Sequence, residues 1–316
     1  MGMRNILVIG GSRYFGKTLV ARLRDAGDRV TVLNRGSAAP PPGVGHLRAD
    51  RDDEPALLAA LSARTFDAVV DQVCYTPLQA AVARRVFAGR TGRYVMTSTI
   101  EVYNPATLPG PARPPRPVPV AEEHLDPTVL PAVAALPWHD TGEVERVLGP
   151  ARTYSEGKRQ AEAVFLREPV FPYASVRVAH VLGGGPADFT GRLAHYVERI
   201  GSGTPVDVHE APYASSFVHH LEIAELLHWA ADGEFTGPVN AASHGTLDVR
   251  ALCEQAGRVL GRRPRYRVVA AGAEASPYSF DRPYAMDNGR AAALGFGFGR
   301  TADWLPDAVA EAARTA

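Results

Sequence analysis

Through its first hundred residues the chain alternates short apolar runs with helix-like stretches, and this rhythm restricts the fold more than any other feature. The runs are Ile6–Ile9, Val30–Leu33, Ala68–Val70 and Tyr94–Met96, separated by Thr18–Arg24, Pro55–Ala63 and Leu78–Ala88 with helical spacing. Strands joined through helices of this length form βαβ units, which place the strands parallel in one helix-covered sheet. Further strands are expected at Ser175–Ala179 and Ser216–Val218, and helices at Leu221–Ala231 and Val249–Leu260. The fold class is α/β, and 316 residues suffice for two unequal lobes.

The first strand runs into Gly10-Gly11-Ser12-Arg13-Tyr14-Phe15-Gly16 and then a helix. Glycines at such a turn let a pyrophosphate approach the backbone, where N–H groups at the helix N-terminus meet its charge. Arg13 replaces the middle glycine of the usual dinucleotide pattern. The stretch also satisfies the phosphate-loop pattern, as Gly11 through Gly16-Lys17-Thr18, with Asp71 ending a strand where a magnesium holder would stand, so a P-loop NTPase is an alternative. Arg13, Tyr14 and Phe15 count against it, because a nest that wraps phosphate needs small groups; Phe15 is better suited to packing the helix on the sheet.

After the second strand, Asn34-Arg35 stands where an acidic residue would hold the ribose hydroxyls of NAD. With no carboxylate to repel a 2′-phosphate, and Arg35 and Arg13 available to pair with one, NADP is favoured over NAD. A merely solvated Arg35 is the bland alternative. Asp50 can accept from the adenine amino group, or belong to a charged helix entrance.

Tyr154-Ser155-Glu156-Gly157-Lys158 opens a helical pattern, and a spacing of four puts Tyr154 and Lys158 on one face. A phenol with an ordinary pKa near 10 is a poor base at neutral pH, and an adjacent ammonium favours its phenolate. Lys17 and Lys158 are the only lysines, so with 11 tyrosines a chance match to this spacing is expected about 0.07 times. Upstream, the strand GRYVMT leads into Ser98-Thr99, and a hydroxyl at a strand's C-terminal end, where parallel sheets bind ligands, can hold a substrate oxygen.

The strand and glycine loop, Ser98-Thr99-Ile100-Glu101-Val102-Tyr103, and the Tyr154–Lys158 motif, in this order, resemble the extended short-chain dehydrogenase/reductase family of nucleotide-sugar epimerases, dehydratases and decarboxylases. The match covers nearly the whole chain, continuing through EEHLDP, RVAHVLGGGP, FVHHLEIAELL and the terminal LGF…TADWLPDAV. It implies a Rossmann-type parallel sheet over 1–178, interrupted by an excursion at 104–150. A smaller, mainly substrate-binding lobe over 179–316 would return parts to that sheet. By resemblance Tyr154 is the acid/base, Lys158 binds the nicotinamide ribose and supports the phenolate, and Thr99 helps hold the reacting oxygen while hydride moves to or from nicotinamide C4.

The loop and strand-end readings together assign Gly10, Gly11, Ser12, Arg13, Phe15, Gly16, Asn34, Arg35 and Asp50 to the cofactor. By resemblance His180, Arg192 and Arg282 go to the substrate, with Arg282 as a diphosphate clamp or half of a surface ion pair. Glu101 is a second acid/base, as in dehydratases, or a structural carboxylate. A nucleotide sugar is the leading substrate, and a homodimer is implied. Alternatives are an NADPH-dependent carbonyl reductase on a non-sugar substrate and a non-catalytic nucleotide- or RNA-associated protein. Arg13, His180 in place of a frequent asparagine, and the long segment between Thr99 and Tyr154 set the chain apart from typical sugar-nucleotide members.

Acidic and basic residues balance at 34 each, which disfavours nucleic-acid or anionic-membrane partners. The opening MGMRNILVIGG enters a strand directly, so a cytoplasmic protein is expected. Cys74 and Cys253 suit a reducing compartment and read as buried filler. His219-His220 and His209-Glu210 lack metal-ligand spacing, and no metal is expected. Residues 104–150 carry 11 of 26 prolines and read either as a polyproline-like surface excursion or as a lid.

Overall fold

The computed structural model describes residues 2–36, 38–108, 118–130 and 136–314. The expected alternation is present as β1 (Asn5–Ile9), α1 (Tyr14–Asp25), β2 (Arg29–Asn34), β3 (Gly45–Arg48), α2 (Glu54–Leu61), β4 (Ala68–Asp71), α3 (Pro77–Phe87) and β5 (Tyr94–Thr99). After a long connection come α4 (Thr141–Leu148), α5 (Pro150–Arg167) and β6 (Tyr173–Val178). Local chemistry starts the crossover helices: Asp53 accepts from Ala56 N to cap α2, Thr76 accepts from Gln79 N to cap α3, and each has proline in its first turn.

These strands and Gly237–Ala241 form a seven-stranded Rossmann-type parallel sheet ordered Gly237–Ala241, β6, β5, β4, β1, β2, β3. Chain order reverses between β4 and β1, and in open α/β sheets the crevice beyond the strand C-termini at such a reversal is where ligands bind. The loops bordering it are Gly10–Arg13 after β1 and Gln72–Thr76 after β4. One face of the sheet is packed by Leu7, Ile9, Val69, Tyr94, Met96 and Phe165, with Tyr94 stacked on Phe171 at 5.1 Å between ring centroids.

Helix α1 begins at Tyr14, four residues before the expected start. Tyr14 enters it with φ +47°, a left-handed conformation uncommon for a non-glycine residue. Its ring, rather than that of Phe15, is the one buried; Phe15 lies half-buried beside it at 5.6 Å.

The polyproline-like excursion is only partly within the described residues, because 109–117 and 131–135 lie outside them. The described part forms short helical turns at Pro105–Thr107, Glu122–His124 and Pro127–Val129. Arg167 of α5 donates to Thr128 O at 2.8 Å, and Leu125 and Leu130 are buried. This stretch is therefore bound to the sheet domain by packing and arginine–carbonyl bonds.

The chain divides into two compact units. The first holds the sheet. The second, comprising Ala179–Ile223, the chain from Asn240 onward and a short piece before Glu122, packs helices Arg192–Ser202, Val249–Leu260 and Thr301–Ala313 around Leu182, Tyr196, Phe217, Leu252 and Leu305. It carries two small parallel sheets, His180–Leu182 with Phe217–His219 and Val206–His209 with Tyr266–Val269. Among the described residues no helix is long and apolar enough to cross a membrane.

Candidate active site

The glycine loop is a tight cradle. Gly10 and Gly11 have φ of +92° and +71°, and a Cβ on Gly11 would sit 2.8 Å from Val8 Cγ1. On Gly16 it would meet Gln72 Oε1 at 2.5 Å and Gly11 Cα at 2.9 Å. All three positions therefore require glycine, whereas the middle position tolerates Arg13: it lies in extended conformation at the N-cap of α1 with its side chain exposed. No acidic side chain lies in the first turn of α1, so nothing there opposes a pyrophosphate. The cradle fits a dinucleotide.

Asn34 ties this loop to the ends of β2 and β3. Its Nδ2 donates to Ser12 Oγ at 2.9 Å and to Ala38 O at 3.1 Å, while its Oδ1 accepts from Gly36 N at 2.7 Å and lies 2.9 Å from His46 Nε2. Arg35 is exposed. Asp50 is also exposed, its carboxylate accepting from Asp52 N at 3.0 Å. Lys17 is solvent-facing, and Asp71 is buried against Arg51 at 2.5 Å and Tyr94 OH at 2.6 Å. That engagement leaves Asp71 poorly placed to hold a metal as an NTPase would need.

Helix α5 carries buried charges on the side facing the sheet. Lys158 is 2% exposed, and its Nζ donates to Cys74 O and Thr97 O, both at 2.8 Å. The same ammonium lies 4.5 Å from the ring centroid of Tyr75, and burial pushes its pKa down to about 8. Tyr154, one turn earlier, is 40% exposed, and its ring centroid is 6.3 Å from that of Tyr75. Tyr75 thus touches both members of the pair. A Cβ on Gly157 would lie 2.3 Å from Tyr75 O, so this glycine lets α5 seat against the loop after β4.

Thr99 is buried at the C-terminal end of β5, where its Oγ1 accepts from Glu101 N at 3.2 Å. The Glu101 carboxylate accepts from Asn104 Nδ2 at 2.9 Å, a side-chain partner rather than a backbone one. Two fully buried arginines brace this turn. Arg159 donates to Val102 O at 2.8 Å and Thr107 Oγ1 at 2.6 Å; Arg177 pairs with Glu162 at 2.6 Å and donates to Tyr103 OH at 2.8 Å. Glu162 in turn accepts from Ser98 Oγ at 2.5 Å.

In the second unit, His180 is buried among Phe217, Tyr278, Phe280 and Tyr284. Burial and the charge of Arg192 push it down to about 3, so it is neutral at physiological pH. The structure thereby brings Arg192 and His180 into one neighbourhood. Arg282 instead pairs with its neighbour Asp281 at 2.6 Å.

Tyr75, Gln72 and Gly157 border these groups and went unassigned in the sequence. Gln72–Tyr75 follow the apolar run that ends at Asp71, and that place at a strand's ligand end was the available signal for them; Gly157 carries no sequence signal beyond its place inside the Tyr-x-x-x-Lys motif.

The family model for the NAD dependent epimerase/dehydratase family matches residues 6–88. A 2′-dehydrokanamycin reductase from Streptomyces kanamyceticus is 31% identical over 271 residues, covering 81% of this chain and 67% of that protein. Among solved structures, the UDP-glucose 4-epimerase of Thermotoga maritima superposes with a TM-score of 0.70 at 18% identity, covering 98% of this chain and 99% of that one. The enzyme WbmG of Bordetella bronchiseptica, in complex with NAD and UDP, gives 0.71 at 17% identity, covering 98% and 95%. At such identities the structural likeness speaks for the fold.

Proposed function

Because the chain belongs to the NAD dependent epimerase/dehydratase family of extended short-chain dehydrogenases/reductases, we propose that it is a nicotinamide-dependent reductase of a ketone on a sugar-like substrate. The observation that carries this reading is the pairing of a buried Lys158 with a solvent-reaching Tyr154 on one face of α5, beside the crevice at the strand reversal. A bound nicotinamide supplies the hydride. Thr99 and Tyr154 would hold the substrate oxygen, and Tyr154 would give its proton to that oxygen as the ketone is reduced to the alcohol. The neighbouring ammonium of Lys158 favours the resulting phenolate, which recovers its proton from solvent.

Arg13 and Arg35, with the neutral Asn34 at the end of β2, support NADP over NAD. Arg192 and His180 are assigned to the remainder of the substrate. The relative that reduces 2′-dehydrokanamycin supports reduction as the net reaction. A nucleotide-sugar epimerase is the second reading, favoured by the fold shared with a UDP-glucose 4-epimerase.

The two separate in one experiment. Purified protein is given NADPH with keto-sugars, including 2′-dehydrokanamycin, and separately UDP-sugars with catalytic cofactor. Stoichiometric cofactor oxidation with formation of an alcohol supports the reductase; interconversion of UDP-sugars without net cofactor consumption replaces it with the epimerase.

A further inference from the structure

We infer that Arg48 is a specificity-determining residue for the cofactor, a third guanidinium that closes on the 2′-phosphate of NADP together with Arg13 and Arg35. This rests on the NADP preference proposed above and extends it to a residue on a different strand. Arg48 is the last residue of β3 and stands in register with Asn34, the last residue of β2. Arg35 follows Asn34 directly, and Arg13 follows Ser12, whose hydroxyl accepts from Asn34 at 2.9 Å. Arg35 and Arg48 thus stand at the C-terminal ends of the adjacent strands β2 and β3, next to Asn34 in sequence and in register, and Arg13, at the N-cap of α1, is joined to the same asparagine through Ser12.

The Arg48 side chain has a defined path. A Cβ at Gly36 would lie 3.3 Å from its Cδ and 3.4 Å from its Nε, so the stem runs across the Gly36 backbone, beside Arg35. Gly36 has φ +90°, which leaves that path open and disfavours any side chain there. The side chains of Arg13, Arg35 and Arg48 are exposed and have neither a hydrogen bond nor an ion pair among the described residues. The acidic group nearest to Arg48 in sequence, Asp50, is engaged with Asp52 N. Three like charges without a counter-ion repel one another. A phosphate monoester, carrying about −1.5 to −2 at neutral pH, relieves that repulsion and accepts from planar guanidinium forks.

Adenosine 2′,5′-bisphosphate and 5′-AMP, which differ by the 2′-phosphate alone, test this by calorimetric titration of the purified protein. Wild type should bind the bisphosphate more tightly, with the advantage shrinking as salt is raised. In Arg48→Ala the bisphosphate should weaken about tenfold while 5′-AMP changes by less than about twofold; Arg48→Lys should recover part of the loss. If wild type prefers the bisphosphate and Arg48→Ala keeps the full preference, Arg48 has no such role and the NADP reading stands. Equal weakening of both ligands makes Arg48 a structural residue and overturns the inference. A wild type that does not discriminate overturns the NADP preference itself.

Discussion

The Lys158 ammonium lies over the ring of Tyr75, 4.5 Å from its centroid, while two carbonyls, Cys74 O and Thr97 O, take hydrogen bonds from it. A lysine buried this deeply would shed its proton more readily, and its pKa is indeed pushed down to about 8. The carbonyl dipoles and the negative ring face favour the charged form that the proposed chemistry needs. Asp71 and Glu162 act in the same direction, Arg51 opposes it, and the Cys74 thiol also faces the site.

On the proposed mechanism the protonated lysine is the active form, so kcat/KM is expected to fall as pH rises through about 8. Tyr75→Leu removes a cation–π attraction of about 0.5–2 kcal/mol and should move this alkaline limb to lower pH by roughly half a unit to one and a half. Tyr75→Phe keeps the ring and should keep the limb in place. A pH–rate profile unchanged in Tyr75→Leu would remove Tyr75 from the mechanism.

Tyr154→Phe should bind cofactor normally and lose about 10²–10⁴-fold in turnover, because the ring stays while the proton carrier goes. Lys158→Arg should also be inactive. The Nζ sits between two carbonyls at 2.8 Å, a site sized for a compact ammonium, and a planar guanidinium cannot be seated there without moving the loop after β4 or strand β5. Single-turnover kinetics with bound cofactor would check both; an active arginine variant would mean that diffuse positive charge is sufficient.

Gly157→Ala should destabilise the protein by about 1–3 kcal/mol, since the added methyl would lie 2.3 Å from Tyr75 O, a backbone atom that cannot rotate away. The shift is read as a lower urea midpoint with unchanged m-value. Relief would come by pushing the loop after β4 outward, so activity should drop further than stability alone accounts for. A variant as stable as wild type would contradict the close seating of α5 on this loop.

Strand and helix periodicity was enough to lay out the sheet, because β1, β4 and β5 are buried along most of their length and read as apolar runs. The short edge strand β3 has no fully buried residue, which is why Arg48 gave no sign of its position. Tyr154, Lys158 and Thr99 were legible as spacing within motifs. Arg159, Arg177 and Glu162 were not, because charged residues on a helix or strand read as solvent-facing until a buried partner is seen. The start of α1 was misplaced because Arg13 and Tyr14 hide the turn, and Tyr14 adopts a left-handed backbone that sequence pattern does not announce. Tyr75 is a single aromatic residue after a strand, and its role comes only from contacts across the sequence.

The last expectation separates reduction from elimination at Glu101. An elimination needs a second proton carrier beside Tyr154, and a carboxylate two residues beyond Thr99 is in a position to serve. In the structure that carboxylate is held by Asn104 Nδ2 at 2.9 Å, while Arg159 donates to the backbone carbonyl of the same residue at 3.2 Å. Both contacts fix the turn that orients Thr99, and neither requires an ionisable group at position 101. Glu101→Gln retains an oxygen able to accept from Asn104, so stability should stay within about 0.5 kcal/mol of wild type. For a ketone reductase, turnover should then stay within about threefold, because the only proton delivered comes from Tyr154. Paired measurement of the melting temperature and steady-state reduction checks this. A folded Glu101→Gln protein that still moves hydride in a single turnover but releases no product would transfer the assignment to an eliminating enzyme, with Glu101 as its second acid/base.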